Sequence, residues 1–81
     1  MTFLTIMSIK PEDREKIEEI CNGIAEKDES FRYWFEEKRY GTFLVIASEN
    51  KNRAMKRGLL LCKKYFPKEG IENVYFSVEE R

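Results

Sequence analysis

The chain has 81 residues, of which 42% are apolar and 37% are charged, and its fifteen basic and fifteen acidic residues give a formal net charge of zero. This length supports one domain with one modest core, so we expect a single domain over residues 1–81, and the apolar content excludes a disordered chain. The zero net charge gives no argument for a polyanionic partner, and no stretch approaches the roughly 20 apolar residues that a membrane-spanning helix needs.

The first two predicted elements are a strand and a helix. Residues 2–9 are rich in β-branched and aromatic types and are apolar on both sides, which is typical of a central strand covered on two faces. Pro11 opens a helix that reaches about Lys27, because proline suits the first helical position and Glu12 and Asp13 place negative charge at the positive end of the helix dipole. The apolar stripe of this helix is Ile17, Ile20, Cys21 and Ile24.

Six of the eleven aromatic residues lie between Phe31 and Phe43, in a predicted hairpin of residues 31–38 and 42–48. We expect Gly41 to supply the positive φ of a three-residue connection and Lys38 to pair with Thr42, a register that separates polar from apolar side chains. One face of the hairpin, expected in the core, then contains Phe31, Tyr33, Phe35, Phe43, Val45 and Ala47. The other face contains Arg32, Trp34, Glu36, Leu44, Ile46 and Ser48.

A second helix and a last strand follow. Asn50 is predicted to cap a helix over residues 51–66, which Pro67 ends. Its wide apolar stripe is Ala54, Met55, Gly58, Leu59, Leu61, Cys62, Tyr65 and Phe66. After a turn at Gly70, the last strand alternates Val74, Phe76 and Val78 with Tyr75 and Ser77. Gly23 and Gly58 lie near the middle of the two helices, where close packing would explain each glycine.

The order strand, helix, strand, strand, helix, strand predicts an α+β fold of the ferredoxin-like type. Right-handed crossovers would place both helices on one face of a four-stranded antiparallel sheet with the first and third strands central. Leu4 and Ile6 are expected to meet the helices. The uncovered sheet face is expected to carry Phe3, Thr5, Met7, Trp34, Leu44, Ile46 and Tyr75.

An uncovered apolar sheet face is typical of an association surface, and aromatic residues, arginine and methionine are enriched at interfaces. We therefore predict an interaction module whose partner-binding residues are Trp34, Arg32, Leu44, Ile46, Tyr75 and Met7. The expected partner is a second copy of the chain, which would make a homodimer, or another protein. A small-molecule pocket that forms at the dimer interface is a further alternative.

The two helices carry opposite charge. Residues 11–28 contain seven acids and three bases, whereas residues 51–66 contain six bases and no acid. The basic side chains are Lys51, Arg53, Lys56, Arg57, Lys63 and Lys64. This pattern predicts either ion pairs between neighbouring helices or a basic stripe that contacts phosphate groups of a nucleic acid or cofactor.

The strand Arg39-Tyr40-Gly41-Thr42-Phe43-Leu44-Val45-Ile46 bears on the nucleic-acid alternative. It is loosely similar to the basic-glycine-aromatic pattern of RNA-recognition-motif domains, which resemble this chain in element order and length, although its glycine and aromatic fall out of register. In that family, aromatic residues on the two central strands stack on bases. The resemblance implies, as the alternative, a single-stranded RNA-binding module that uses Trp34, Tyr75 and the basic helix.

The sequence indicates no catalytic residue and no cofactor. It contains no histidine, and Cys21 and Cys62 lie 41 residues apart, which excludes a Cys-x-x-Cys zinc site and a Cys-His nucleophile. We expect both cysteines to be reduced core thiols. Glu26, Asp28 and Glu29 are the candidate ligands for a divalent cation, but they lack the spacing of a calcium loop.

Two features bear on where the protein works. The segment Met1 to Lys10 lacks the basic start and cleavage site of a signal peptide, so we predict a cytoplasmic protein that does not bind a membrane. Thirteen glutamates and nine lysines against two aspartates are typical of proteins adapted to heat.

Overall fold

A computed structural model describes residues 1–72 and 75–81. The strands are β1 (Phe3–Ile9), β2 (Arg32–Lys38), β3 (Gly41–Ser48) and β4 (Phe76–Glu80). Helix α1 (Arg14–Lys27) follows a 3-10 turn at Pro11–Asp13, and helix α2 (Lys51–Leu60) continues through a π-helical turn (Leu61–Tyr65) into the short α3 (Phe66–Lys68). The chain therefore has a small α+β fold.

The four strands form one antiparallel sheet in the order β2-β3-β1-β4, so that β1 and β3 are central. Both helical segments pack on the same side of this sheet. Ile17 and Cys21 of α1 join Leu61 and Cys62 in one core cluster with Met7, Leu44 and Ile46 of the central strands. We term the other side of the sheet the open face; its side chains are Leu4, Ile6, Ser8, Arg32, Trp34, Glu36, Lys38, Phe43, Val45, Ala47, Ser77 and Glu79.

The register of β2 and β3 differs by one residue from the predicted one. Lys38 pairs with Gly41, and the connection consists of Arg39 and Tyr40 alone. Because side chains alternate along a strand, this shift moves every β3 side chain to the other face. Leu44 and Ile46 are consequently buried beneath the helices, while Phe43, Val45 and Ala47 lie on the open face. This register places Tyr33 and Phe35 of β2 in one core with Leu44 and Ile46 of β3.

The two sides of β1 are also the reverse of the prediction. Thr5, Met7 and Ile9 face the helices, and Leu4 and Ile6 lie on the open face. Residues on both sides are apolar, so alternation does not distinguish the two faces. The buried Thr5 hydroxyl donates a hydrogen bond to the Ala54 carbonyl at 2.8 Å, which satisfies it and ties β1 to α2.

The second helical segment begins as predicted and ends later than predicted. The Asn50 side chain caps α2 by accepting a hydrogen bond from the Arg53 N–H at 2.8 Å. Pro67 does not stop the helix, which continues to Lys68. Proline has no N–H, and its ring crowds the carbonyl four residues earlier. That carbonyl belongs to Lys63, inside the wider π-helical turn (Leu61–Tyr65), which accommodates both effects.

Gly70 ends this helix, because its positive φ of 71° reverses the chain. The Ile71 N–H then donates to the Phe66 carbonyl at 2.9 Å, and the Gly70 N–H donates to the Pro67 carbonyl at 3.2 Å. This pair of bonds is the Schellman arrangement of helix ends. Ile71 and Phe66 both belong to the core cluster, so the turn also fixes the end of the helix against the core.

The two helix glycines have different surroundings. A Cβ atom on Gly58 would lie 2.5 Å from the Phe76 ring, so close packing of α2 against β4 explains this glycine, as predicted. A Cβ atom on Gly23 would meet nothing within 4 Å. The packing explanation is therefore wrong for Gly23.

The last strand begins at Phe76, and Phe76 and Val78 share the face of Met7 and Thr5, toward the helices, as predicted. Val74, which was expected in this strand, lies outside the described residues. Among the helices that the structure describes, none is both long and apolar enough to cross a membrane.

Candidate interaction surface

Side chains on the open face form rows across the sheet, because strand pairing aligns them. The first row is Arg32, Ala47, Leu4 and Glu79. The second is Trp34, Val45, Ile6 and Ser77. A third contains Glu36, Phe43 and Ser8. The centre of the open face is therefore mainly apolar, and its two edges, on β2 and β4, are mainly polar or charged.

Trp34 is the largest side chain of the open face and is 38% exposed. Its indole N–H donates to Glu36 Oε2 at 3.0 Å, which holds the ring in place along the strand. This hydrogen bond is the main cause, with Lys38 and Arg81 as further causes, of the lowered pKa of Glu36. Val45, beside Trp34 in the row, is fully buried although no helix covers it, so open-face side chains provide its cover.

A shallow groove of about 320 Å³ lies on the open face. It is lined by Ile6, Glu36, Lys38, Tyr40, Phe43, Ser77, Glu79 and Arg81. Ile6 and Phe43 contribute apolar surface from the central strands, and charged side chains stand at both sides. The groove therefore offers an apolar floor between polar walls, which is the chemistry that an aromatic side chain with a polar atom fits.

The charges around the open face are of both signs. Lys38 lies 3.8 Å from Glu36, and Arg81 lies 3.7 Å from Glu79. Arg32 is exposed and forms no ion pair with any acid among the described residues. Exposed pairs of this kind contribute about 0–1 kcal/mol each. The open face as a whole therefore has no strong preference for a polyanion or a polycation.

Only part of the predicted partner-binding set lies on this surface. Trp34 and Arg32 lie on the open face, and Tyr75, just before β4, is 82% exposed. The placement of Met7, Leu44 and Ile46 on the uncovered face is wrong, because all three are fully buried between the sheet and the helices. Ile6, Phe43 and Val45 take their place, and a two-residue connection at Arg39 and Tyr40 is the sequence signal that would have revealed the β3 residues.

Arg57 differs from the other basic residues of the second helical segment because it is only 8% exposed. Its Nη1 donates to Ser48 Oγ at 2.9 Å and to the Ala47 carbonyl at 3.1 Å. Its Nη2 donates to Ser30 Oγ at 2.8 Å and to Asp28 Oδ2 at 3.0 Å. Arg57 therefore joins α2 to the end of β3 and to the α1–β2 loop, and it does not belong to an exposed phosphate-binding stripe.

Asp28, a candidate metal ligand, uses its carboxylate within this network. Hydrogen bonds from Ser30 and then from Arg57 lower the pKa of Asp28 to about 2. Glu26 and Glu29 are exposed on either side of it. The described residues contain no group of three or more side chains placed to hold a metal ion, and the interaction with Arg57 explains the position of Asp28 without a cation.

The remaining cations of the second helical segment are exposed: Lys51, Arg53, Lys56, Lys63 and Lys64. Among the described residues, one ion pair, between Arg57 and Asp28, joins the two stretches of opposite charge, so the predicted pairing is observed at that point alone, and none of these five cations takes part in it. These cations also lie on the helix side of the sheet, whereas Trp34 lies on the open face. The basic helix and Trp34 therefore do not form one continuous site.

Both cysteine side chains are buried in the core, as expected. Burial, with a smaller contribution from the nearby Glu18 carboxylate, raises the pKa of Cys21 to about 12. A thiol in this environment stays protonated near neutral pH and is a poor nucleophile.

Comparison of the chain with protein-family models, with curated proteins and with solved structures finds no match. Inference about function therefore rests on the residues themselves and on the geometry of the open face.

Proposed function

We propose that this chain is a self-associating interaction module and that the open face binds a second copy of the same chain. The observation that carries the proposal is an apolar sheet surface, centred on Trp34 and Ile6, that neither helix covers. An apolar centre with a large aromatic residue beside it and a charged rim is the usual anatomy of a protein interface.

The rim favours a second copy over an unrelated partner. Arg32 and Lys38 lie along the β2 edge, and Glu79 lies on the β4 edge. A surface that carries both positive and negative charges can be complementary to a second copy of itself. Two-fold dimers are also the commonest symmetric assemblies. The same rim, which includes Glu36, supports RNA binding less well because acids repel phosphate groups.

The size of the open face sets the expected affinity. Four strands about 4.8 Å apart and about seven residues long cover roughly 19 by 23 Å. Two such faces correspond to roughly 870 Å², which is below the size of stable complexes and in the class of weak, transient ones. We therefore expect a dissociation constant in the micromolar range.

We infer further that the fold is of the ferredoxin-like type. Support comes from the element order β-α-β-β-α-β, from the central position of β1 and β3, and from both helical segments on one side of the sheet. This arrangement leaves a whole sheet face free for association.

Sedimentation equilibrium of the full chain up to about 200 μM tests the proposal, since that concentration exceeds a micromolar dissociation constant. We expect a dimer whose association weakens at least about tenfold in Trp34→Ala, because aromatic anchors dominate interface energy. Leu60→Ala is the matched control: Leu60 is 39% exposed, similar to Trp34, but lies on α2, and its truncation should leave association unchanged.

A chain that stays monomeric at the highest concentration would overturn the proposal. Circular dichroism of each variant checks that it is folded. If the monomer instead shows quenching of Trp34 fluorescence by single-stranded oligonucleotides at low salt, the RNA-binding alternative replaces self-association.

A further inference from the structure

We propose that two copies pack open face to open face about a two-fold axis parallel to the strands. In this arrangement Trp34 of each copy enters the groove of the other, and Arg32 of each copy pairs with the partner's Glu79. The inference rests on the proposed self-association and specifies its geometry.

The strand order determines which side chains meet. Strands β2 and β4 are the two edges of the sheet, and β3 and β1 lie between them. A two-fold axis that lies in the interface and runs parallel to the strands, between β3 and β1, exchanges the two edges. It places β2 over the partner's β4 and keeps each row of side chains opposite the same row of the partner.

Under this two-fold rotation, the row that contains Trp34 is complementary in shape to the same row of the partner. Across the sheet the row passes from Trp34 through Val45 and Ile6 to Ser77, so that the largest side chain stands at one edge and the smallest at the other. The exchange of edges places the indole over the partner's Ser77 and Ile6, and both residues line the groove. A cavity of about 150 Å³ can hold a benzene ring, so a groove of about 320 Å³ has room for an indole.

The charges of the neighbouring row are complementary under the same operation. Arg32 and Glu79 occupy opposite edges of one row, so each Arg32 meets the partner's Glu79 and two equivalent pairs form. Arg32 forms no ion pair with the acids that the structure describes, and Glu79 has one long contact of 3.7 Å with Arg81. Both groups are exposed and can form the short, two-pronged contact that arginine and carboxylate prefer.

A two-fold axis perpendicular to the strands fits the surface less well. It would place Trp34 against the partner's Trp34 and leave the two grooves without the indole. It would also place Arg32 against the partner's Glu36, a carboxylate that already accepts the indole N–H of its own Trp34. The axis parallel to the strands uses the groove and leaves this hydrogen bond intact.

Charge reversal tests the geometry in the full chain, by sedimentation equilibrium at an ionic strength of about 0.05 M, where surface charges are weakly screened. We expect Arg32→Glu and Glu79→Arg each to weaken association about tenfold or more, because each places like charges opposite each other. The double variant Arg32→Glu/Glu79→Arg should restore the dissociation constant to within about threefold of the wild-type value. Arg53→Glu, the same change on exposed α2, is the control and should have no effect.

A second variant tests the groove without a change of charge or of Trp34. Ser77→Trp should fill the groove and make the chain monomeric at concentrations where the wild type is dimeric. This geometry is wrong, although self-association stands, if the wild type is a dimer but Arg32→Glu/Glu79→Arg does not restore association. It is also wrong if Arg32→Glu/Glu36→Arg restores association instead. A dimer of unchanged affinity in Ser77→Trp would also overturn it. A monomeric wild type would overturn the proposed function itself.

Discussion

The same substitution at two helix glycines should have opposite effects on stability. In Gly58→Ala, the new Cβ would lie 2.5, 2.7 and 2.8 Å from three atoms of the Phe76 ring, far inside the 3.5–4.0 Å of a normal carbon contact. Phe76 is partly buried and packs against the core, so the ring must move at the expense of that packing. In Gly23→Ala, the new Cβ meets no atom within 4 Å.

The magnitudes follow from two opposing effects. Alanine is favoured over glycine in a helix interior by about 0.5–1 kcal/mol, and Gly23→Ala should raise the free energy of unfolding by that amount. Overpacking typically costs about 1–3 kcal/mol, which exceeds the propensity gain, so Gly58→Ala should lower the free energy of unfolding by about 1 kcal/mol. The two variants should therefore differ by about 2 kcal/mol.

Urea unfolding followed by far-UV circular dichroism at one fixed protein concentration measures both values. In a chain of this length, each kcal/mol also shifts the midpoint of thermal unfolding by about 4–8 °C. The Phe76→Leu background is the control for mechanism, because the shorter side chain removes the ring atoms nearest Gly58 and the cost of Gly58→Ala should fall there. If Gly58→Ala stabilises as much as Gly23→Ala, or if its cost is unchanged in that background, the close approach of α2 to Phe76 is not what requires glycine.

Three further predictions concern the contact of Arg57 with Asp28 and the buried thiols. The pKa of Asp28 is lowered from 3.8 to about 2. Its carboxylate therefore stabilises the fold above about pH 4, and this contribution is lost as the pH falls toward 2. The urea midpoints of the wild type and of Asp28→Asn should converge over that pH range. Arg57→Ala should lower the free energy of unfolding by about 2–4 kcal/mol, measured in urea, because it leaves one buried and three partly buried acceptors without this donor, and Arg57→Lys should recover only part of the loss. Neither Cys21 nor Cys62 should react with Ellman's reagent at about pH 8 until urea unfolds the chain, since both are buried and burial raises the pKa of Cys21 to about 12; rapid reaction of the native protein would contradict the core position of at least one of the two thiols.

Local signals in the sequence were sufficient for the type and order of the elements. Pro11 at the start of the first helix, the Asn50 cap and the alternation of aromatic with polar residues in β2 each act over a few residues, and each has its predicted role in the structure. Pro67 is the exception among these signals. Proline normally ends a helix, but here a π-helical turn allows the helix to continue past Pro67. Nothing in the adjacent sequence distinguishes a continued helix from a helix end.

The faces of the two central strands could not be predicted in the same way. Strand β2 alternates clearly, so Trp34 was correctly placed on the uncovered face. Strands β1 and β3 are apolar on both sides, and only pairing with β2 and packing against the helices decides which side is buried. The same holds for the basic residues of the second helical segment, because the sequence does not show which of the six is buried. Arg57 differs from the others through its contact with Asp28, 29 residues away in the sequence.

The apolar character of both sides of β1 and β3 made the register hard to predict, and it also explains why the open face needs a cover. Two apolar sides on β1 and β3 give the sheet two apolar faces, but the chain folds both helical segments onto one of them. On the open face Leu4 and Val45 are nevertheless buried, so neighbouring side chains, among them Trp34 opposite Val45, form part of a second layer. That layer is incomplete along the groove, which extends from Glu36 on β2 to Ser77 on β4. A second copy that brings Trp34 to the Ser77 end of the groove would complete the layer there, which is why we place the site of association at Trp34 and the groove together.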